Sequence, residues 1–443
     1  MGNRKTRKHG VSFAALLLTL LLTGTGCGDG RQADPVHTSQ SEDPAHAPQA
    51  GETGTAAKTG DLSSWYFFEE DGIVANGEER FLYSDWEPVE FDYICMDPTC
   101  SHLDEGCSAR MVEDEKSMRK DFGLIYQDRL ILLHAYAELT TNDLSETVEE
   151  WSSVYQTDVY EADPDGSNRR KVATFPGSID SSFMTYAAVL ADGKLWFGGP
   201  SKELKRIECD AQGMWQTFEL WINDAIYCLD LNDYTVETFA ATEDKEVKEE
   251  EGYQYQLYEF DGMIYGIISN FQGDSAIWYR IDPGTGVCEE ILRFDSNVAR
   301  FGGAIGDKVY YFYEDAQETL YVRDLAEGAE EREILTITAE GMLAMPFVLD
   351  GRLLLITDYC VEEGNHMAEY TVFDPEGKVL DTIRYDDYIN FLDVVGDKII
   401  FYKLESDFEY DTWWVKKEDL KDLSQKGVRI GPINGVTLDT LED

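Results

Sequence analysis

The chain has 443 residues, 43% of them hydrophobic and 12% aromatic; it can bury a large core and is too apolar to be disordered throughout. Lys and Arg number 37 against 87 Asp and Glu, a formal net charge of -50; a field of that sign repels phosphate backbones and excludes a nucleic-acid binder. With 25 Tyr, 21 Phe, 9 Trp and only 12 Pro, the composition points to an all-β protein.

Residues 1–10 carry Arg4, Lys5, Arg7 and Lys8 and no acid. An apolar run of about a dozen residues, VSFAALLLTLLL, follows at 11–22. It is too short to span a bilayer, which needs about 20 residues, and fits the core of a secretory signal. It ends in Thr23-Gly24-Thr25-Gly26-Cys27. Small residues before a cysteine resemble the lipobox of bacterial lipoproteins, although Gly24 stands where an aliphatic residue is usual. The resemblance implies a signal peptide over 1–26 and an acylated Cys27, hence a lipid anchor on the outer face of a bacterial membrane. Residues 28–62 hold almost no large apolar side chains, so they cannot offset chain entropy by burial. Residues 27–62 are therefore read as the acylated cysteine and a disordered linker, with a mean span near 30 Å.

From residue 63 one unit recurs. A short apolar strand meets a two-residue turn, at Asp71-Gly72, Gln127-Asp128, Asp192-Gly193, Asp261-Gly262, Gly306-Asp307, Asp350-Gly351 and Gly396-Asp397. An aromatic strand such as KVYYFYE follows, then a second hairpin around an Asp-rich turn, as in WYRIDPGTGVCEEIL. Gly and Asp tolerate the positive φ that tight hairpins require. The later turns recur at intervals in the forties, from Asp261 through Asp307 and Asp350 to Asp397. Four strands at that period are the signature of a β-propeller blade. Residues 63–443 are thus expected to form a propeller of about seven four-stranded blades, or six if the first only closes the ring. Longer early intervals map to acidic insertions at 139–151 and 241–253.

The segment Val159-Tyr160-Glu161-Ala162-Asp163-Pro164-Asp165-Gly166-Ser167-Asn168-Arg169-Arg170 resembles the blade hairpin of TolB-like propellers. Lipobox, linker and a propeller with a Cys-rich loop together resemble a group of uncharacterised Gram-positive lipoproteins. That resemblance implies architecture; function does not follow from a widely shared fold.

The loop 95–107 holds Cys95, Cys100, His102 and Cys107 in a C-x4-C-x-H-x4-C pattern. Three thiolates and an imidazole make a full tetrahedral set for structural zinc. A disulfide between two of the cysteines is the other reading, since the chain is expected outside the cytoplasm. Cys228, Cys288 and Cys360 read as small buried hydrophobes, and Cys209 could pair with Cys228 across a hairpin. His134, in LILLHAY, reads as a satisfied core residue; His366 reads as a solvated loop residue. Trp413-Trp414 are assigned to blade packing.

No G-x-S-x-G elbow and no H-E-x-x-H occurs, so no catalytic residue is assigned. The sequence favours a non-catalytic binding or scaffold module for a protein or glycan partner. The alternative is a surface glycan-active hydrolase or lyase using paired carboxylates in the propeller funnel.

Overall fold

The structure is a computed structural model that describes residues 62–432, except 70–71, 78–79, 101, 103–104, 112–120, 146, 178–187, 210–214, 242–244, 248–252, 271–274, 295–298, 314–315, 327, 337–345, 363–364 and 407–408. Cys27, the leader, the linker and residues 433–443 lie outside the described residues.

Apart from Asp71-Gly72, whose Asp71 lies outside the described residues, the two-residue turns have the conformations their residue types permit. Gln127-Asp128, Asp192-Gly193, Asp261-Gly262 and Asp350-Gly351 have positive φ at both positions, and Gly306 and Gly396 at the first. Each joins two consecutive antiparallel strands with no residue to spare. The Asp-rich turns are closed by their own carboxylates. Asp282 accepts from the Gly284 and Thr285 amides at 2.9 and 3.2 Å, and Asp374 from those of Glu376 and Lys378 at 3.0 and 2.8 Å. Hairpin chemistry alone explains why aspartate recurs there.

The first sheet contains β1 (Leu62–Phe68), β2 (Gly72–Gly77), β3 (Phe81–Asp85) and β4 (Asp92–Tyr93). A nine-stranded sheet follows: β5 (Phe122–Tyr126), β6 (Arg129–Asp143), β7 (Val148–Ala162), β8 (Arg170–Pro176), β9 (Ala188–Ala191), β10 (Lys194–Cys209), β11 (Trp215–Asp230), β12 (Val236–Phe239) and β13 (Lys245–Val247). The next sheet holds β14 (Tyr253–Phe260), β15 (Met263–Asn270), β16 (Ala276–Ile281) and β17 (Cys288–Phe294). After it come β18 (Ala299–Ile305), β19 (Lys308–Tyr313), β20 (Ala316–Asp324) and β21 (Glu331–Thr336). The following sheet has β22 (Phe347–Leu349), β23 (Arg352–Glu362), β24 (Asn365–Phe373) and β25 (Val379–Tyr385). The last has β26 (Ile389–Val395), β27 (Lys398–Ser406), β28 (Glu409–Lys416) and β29 (Val428–Pro432), with a 3-10 turn (Lys417–Asp422) and α1 (Leu423–Lys426) before its final strand.

Apolar cores sit between neighbouring sheets and run round to the start. Val74 and Phe81 of the first sheet meet Leu130 and Leu132 of the nine-stranded sheet. Trp196 and Ile226 of that sheet meet Leu257 and Ile264. Trp278 meets Phe301 and Tyr311, and one long cluster joins Tyr310, Leu354 and Ile399. The last sheet returns to the first, where Trp414 and Ile430 pack on Ile73 and Trp86; the Trp86 and Trp414 rings cross edge to face at 5.5 Å. First strands touch first strands, β14 against β9 and β18, and β22 against β18 and β26, so they gather about one axis. The chain is an all-β propeller. No sheet could bury both of its faces alone, and the ring covers them.

The blade number departs from expectation. Five sheets stand as separate four-stranded blades, not seven or six. The strands from Phe122 to Val247 form one hydrogen-bonded sheet because β6, β7, β10 and β11 run to 15 or 16 residues and outgrow their neighbours. β5 pairs only with Arg129–Leu133 of β6. Past it, Lys202–Glu208 of β10 pair with Val148–Val154 of β7 and join the two hairpins. The inner parts of the same sheet face each other across Leu133, Val159, Phe197 and Tyr227.

Several single residues fall where expected. Trp414 packs toward the first sheet and its neighbour Trp413 toward the preceding one. His134 is 2% exposed and its Nδ1 lies 2.5 Å from Asp121 Oδ1, a satisfied core histidine. Others differ. His366 lies in β24 and is hydrogen-bonded to the Tyr359 hydroxyl. Cys360 is exposed. Cys209 lies opposite Trp215 while Cys228 lies opposite Trp196, at the far ends of one hairpin; about 40 Å of strand separates them, so they do not pair.

Candidate functional site

The loop after β4 brings Cys95, Cys100, His102 and Cys107 together. One ligand atom from each lies within 4.8 Å of every other. Zinc bonds of about 2.3 Å to sulfur and about 2.0 Å to nitrogen would space tetrahedral ligand atoms roughly 3.5–3.8 Å apart. Cys107 Sγ and His102 Nδ1 are already 3.7 Å apart. All three cysteines are free thiols. The Cys3His group is compact enough to hold a metal.

Local sequence builds this knot. Asp97 closes a turn by accepting from the Thr99 amide and hydroxyl, both at 2.8 Å, and the Cys100 amide donates to the Asp97 carbonyl at 3.0 Å. His102 adopts a left-handed φ of 59°. Its carbonyl accepts from Arg80 Nε at 2.6 Å, and its ring stacks on Tyr93 at 4.6 Å. The His102 amide donates to Cys100 Sγ at 3.4 Å. Burial works against ionisation of Cys95. Hydrogen bonds from the Ser108 side chain and the Asp97 and Ser108 backbones nonetheless hold its thiol below the ordinary value. Burial pushes the Cys107 thiol up to about 11, with a hydrogen bond to Cys100 adding to the rise.

The knot is clasped to the nine-stranded sheet through its C-terminal end. Ser108 Oγ donates to the Asp165 carbonyl at 2.5 Å, and Arg169 Nη2 donates to the carbonyls of Ser108 and Arg110 at 2.9 and 2.8 Å. Gly166, at φ 74°, passes so close that a Cβ there would fall 2.2 Å from the Ser108 carbonyl oxygen. The turn Asp163–Asn168 thus has a docking role that its sequence did not disclose.

Sequence reasoning missed two other features. Asp393 lies at a bulge of β26, a first strand. Surrounding protein pushes its pKa up to about 6, with a smaller push from Glu259 of β14, another first strand. Glu259 Oε1 accepts from the Gly262 amide at 2.6 Å. Among 87 acids neither carries a sequence signal. The second feature is the platform formed by the outer parts of β6, β7, β10 and β11. The insertion 139–151 contributes the outer ends of β6 and β7. The excess of the next unit lies largely in β10 and β11 rather than only in 241–253.

No family model matches the chain, and no curated protein matches it. Among solved structures, a prolyl endopeptidase is similar at 12% identity and TM-score 0.41, over 84% of this chain and 50% of that one. A protein of Listeria monocytogenes EGD-e matches at 11% identity and TM-score 0.34, over 70% and 86%. The β-propeller domain of the Trilobed protease from Pyrococcus furiosus matches at 12% identity and TM-score 0.29, over 63% and 80%. The chain spans about half the length of the prolyl endopeptidase it resembles.

Proposed function

We propose that the chain is a lipid-anchored propeller on the outer face of a bacterial membrane, acting as a non-catalytic binding or scaffold module for a protein partner. The observation that carries this reading is the platform. A blade needs strands only long enough to cover its neighbours, and those of the sheet β18–β21 do not exceed nine residues. Hairpins of 15 and 16 residues that join beyond the blades add surface that packing does not require. Anchoring rests on Cys27 and the leader before it. A Cys27→Ala variant should leave the membrane fraction; a variant that stays there overturns the anchor. Equilibrium binding of the full chain to partners from its own cell surface tests the module.

The Cys3His knot is read as a structural zinc site. Cys95, Cys100 and Cys107 would supply thiolates and His102 an imidazole nitrogen. Four protein ligands leave no open position for substrate. Metal held there would fix the loop that clasps the first sheet to the nine-stranded sheet. Elemental analysis should find one zinc per chain. Chelation should speed hydrogen exchange at 93–111 and 163–170 before it does so elsewhere. A metal-free chain with a disulfide among these cysteines, seen by mass spectrometry, overturns the site.

One observation favours a second reading, a glycan-active hydrolase. A carboxyl raised to about 6, with a second carboxylate adding to the rise, fits a general acid and its partner, and Asp393 and Glu259 both belong to first strands. Hydrolysis of a glycan panel, abolished by Asp393→Asn with the fold intact, would establish it. A panel left uncut rejects it.

A further inference from the structure

We propose that the Cys3His knot is a peroxide-sensitive latch, in which a disulfide formed between Cys95 and Cys100 expels the metal and loosens the clasp between the first sheet and the nine-stranded sheet. This rests on the zinc reading above and adds its regulation.

The three sulfurs share one environment and differ in access. Each accepts a backbone hydrogen bond from the residue two places on: Cys95 from Asp97, Cys100 from His102 and Cys107 from Ala109. Bound to a metal, all three are thiolates, the form that reacts with an oxidant. Cys95 and Cys107 are 7% and 6% exposed, whereas Cys100 is half-buried, so peroxide meets Cys100 first. Cys100 is hydrogen-bonded to both of the other thiols, and the backbone chooses between them. Only Met96, Asp97, Pro98 and Thr99 separate it from Cys95, and all four are exposed, so that turn can tighten. Cys107 is pinned. Its carbonyl accepts from the Arg110 amide at 3.1 Å, and the Ala109 carbonyl accepts from the Phe81 amide at 2.8 Å.

The step is a two-electron oxidation by a hydroperoxide. The Cys100 thiolate attacks one peroxide oxygen, the O–O bond breaks, and hydroxide leaves behind a sulfenic acid. The Cys95 thiolate attacks that sulfur; the S–S bond forms and a second hydroxide leaves. Two protons from solvent turn both hydroxides into water. Only Cys107 and His102 then remain as ligands, half the set of a structural site, and the ion is released.

Ser108 carries the change to the neighbouring sheet. It hydrogen-bonds the Cys95 sulfur through its side chain and its backbone. The same hydroxyl donates to the Asp165 carbonyl at 2.5 Å, and the Ser108 carbonyl accepts from Arg169 Nη2 at 2.9 Å. A sulfur drawn toward Cys100 and stripped of its charge is a poorer partner for Ser108. Gly166 packs so closely on the Ser108 carbonyl that Ser108 cannot shift without moving the turn 163–168.

The test uses the full chain. Zinc and free thiols are counted first, and a chain purified without zinc overturns the zinc reading and the latch with it. A small excess of hydrogen peroxide should then release the zinc, and mass spectrometry should find a Cys95–Cys100 disulfide. Hydrogen exchange at 163–170 should speed at least ten-fold, and at the turn Asp350-Gly351 less than two-fold. A thiol reductant with added zinc should restore the slow exchange, which separates the latch from methionine sulfoxide. Ser108→Ala should still bind and release zinc, while oxidation moves its exchange at 163–170 less than three-fold. Zinc retained through the oxidant, or a disulfide that includes Cys107, overturns the latch and leaves the zinc reading standing. So does a Cys95–Cys100 bond that leaves exchange at 163–170 unchanged, or a Ser108→Ala chain that responds like the native one.

Discussion

In the sheet β18–β21, Val309, Tyr310, Tyr311 and Phe312 are consecutive and all buried. Val309 and Tyr311 join the core shared with the preceding sheet, while Tyr310 and Phe312 join the core shared with the following one. In the outer part of β6, Glu138 through Asp143 are consecutive and all exposed. The same hairpin geometry serves both. A second strand set between two sheets must be apolar on both faces, so its sequence loses the alternation expected of a half-covered strand. One that extends past its neighbours has no sheet to cover it, and it turns largely polar. The same construction thus gives stability in one place and surface in the other.

The largest expected effect breaks the buried side of this comparison. Trp278 is 1% exposed and contacts the rings of Phe294, Phe301 and Tyr311 at 5.0, 5.2 and 5.6 Å. Trp278→Ala should cost about 3–5 kcal/mol in denaturant unfolding. Trp151→Ala, on the platform, should stay within about 0.5 kcal/mol. Comparable losses from the two would mean that the platform is part of the core.

Legibility in the sequence follows the range of the forces involved. The two-residue turns were readable because Gly and Asp answer to local φ, and the Cys3His knot because its ligands lie in one short loop. The joining of β7 to β10 was not. Lys202–Glu208 read like any exposed strand, and what selects their partner is the position of two distant hairpins in the ring. The clasp escaped for the same reason. Ser108 and Asp165 are 57 residues apart, and the glycine of Asp165-Gly166 reads as turn chemistry alone. Asp393 acquires its unusual environment from packing around it.

The clasp gives the next effect. Gly166 and Gly351 both have φ near 70°, but a Cβ on Gly351 meets nothing within 4 Å. Gly351→Ala should cost about 1 kcal/mol for its left-handed backbone alone. Gly166→Ala adds a collision with the Ser108 carbonyl and should cost roughly 2–3 kcal/mol. It should also loosen the loop 95–110 in hydrogen exchange, which Gly351→Ala should not. Equal costs would mean that the loop shifts freely and clasps nothing.

The smallest effect separates the axis from both regions. Asp393 is exposed, though protein surrounds it, and its carboxyl is held near 6, above the ordinary 3.8. A raised carboxyl pKa means that the fold prefers the neutral form. Below about pH 4 folded and unfolded chains are both protonated and the residue carries no penalty. Between about 4 and 6 the unfolded chain ionises while the folded chain still holds its proton, so the penalty grows with pH; above about 6 both are ionised and it is constant. Asp393→Asn keeps an acceptor for the Val394 amide, which donates to Oδ1 at 2.7 Å, and removes the charge. Its stability should equal that of the native chain at pH 4 and exceed it at pH 8. Water at the side chain screens the charge, so the gain should be below about 1 kcal/mol, a degree or two in Tm. A gain that is the same at both pH values would show that ionisation is not its source. No gain at either would leave Asp393 an ordinary surface acid and remove the physical basis of the hydrolase reading.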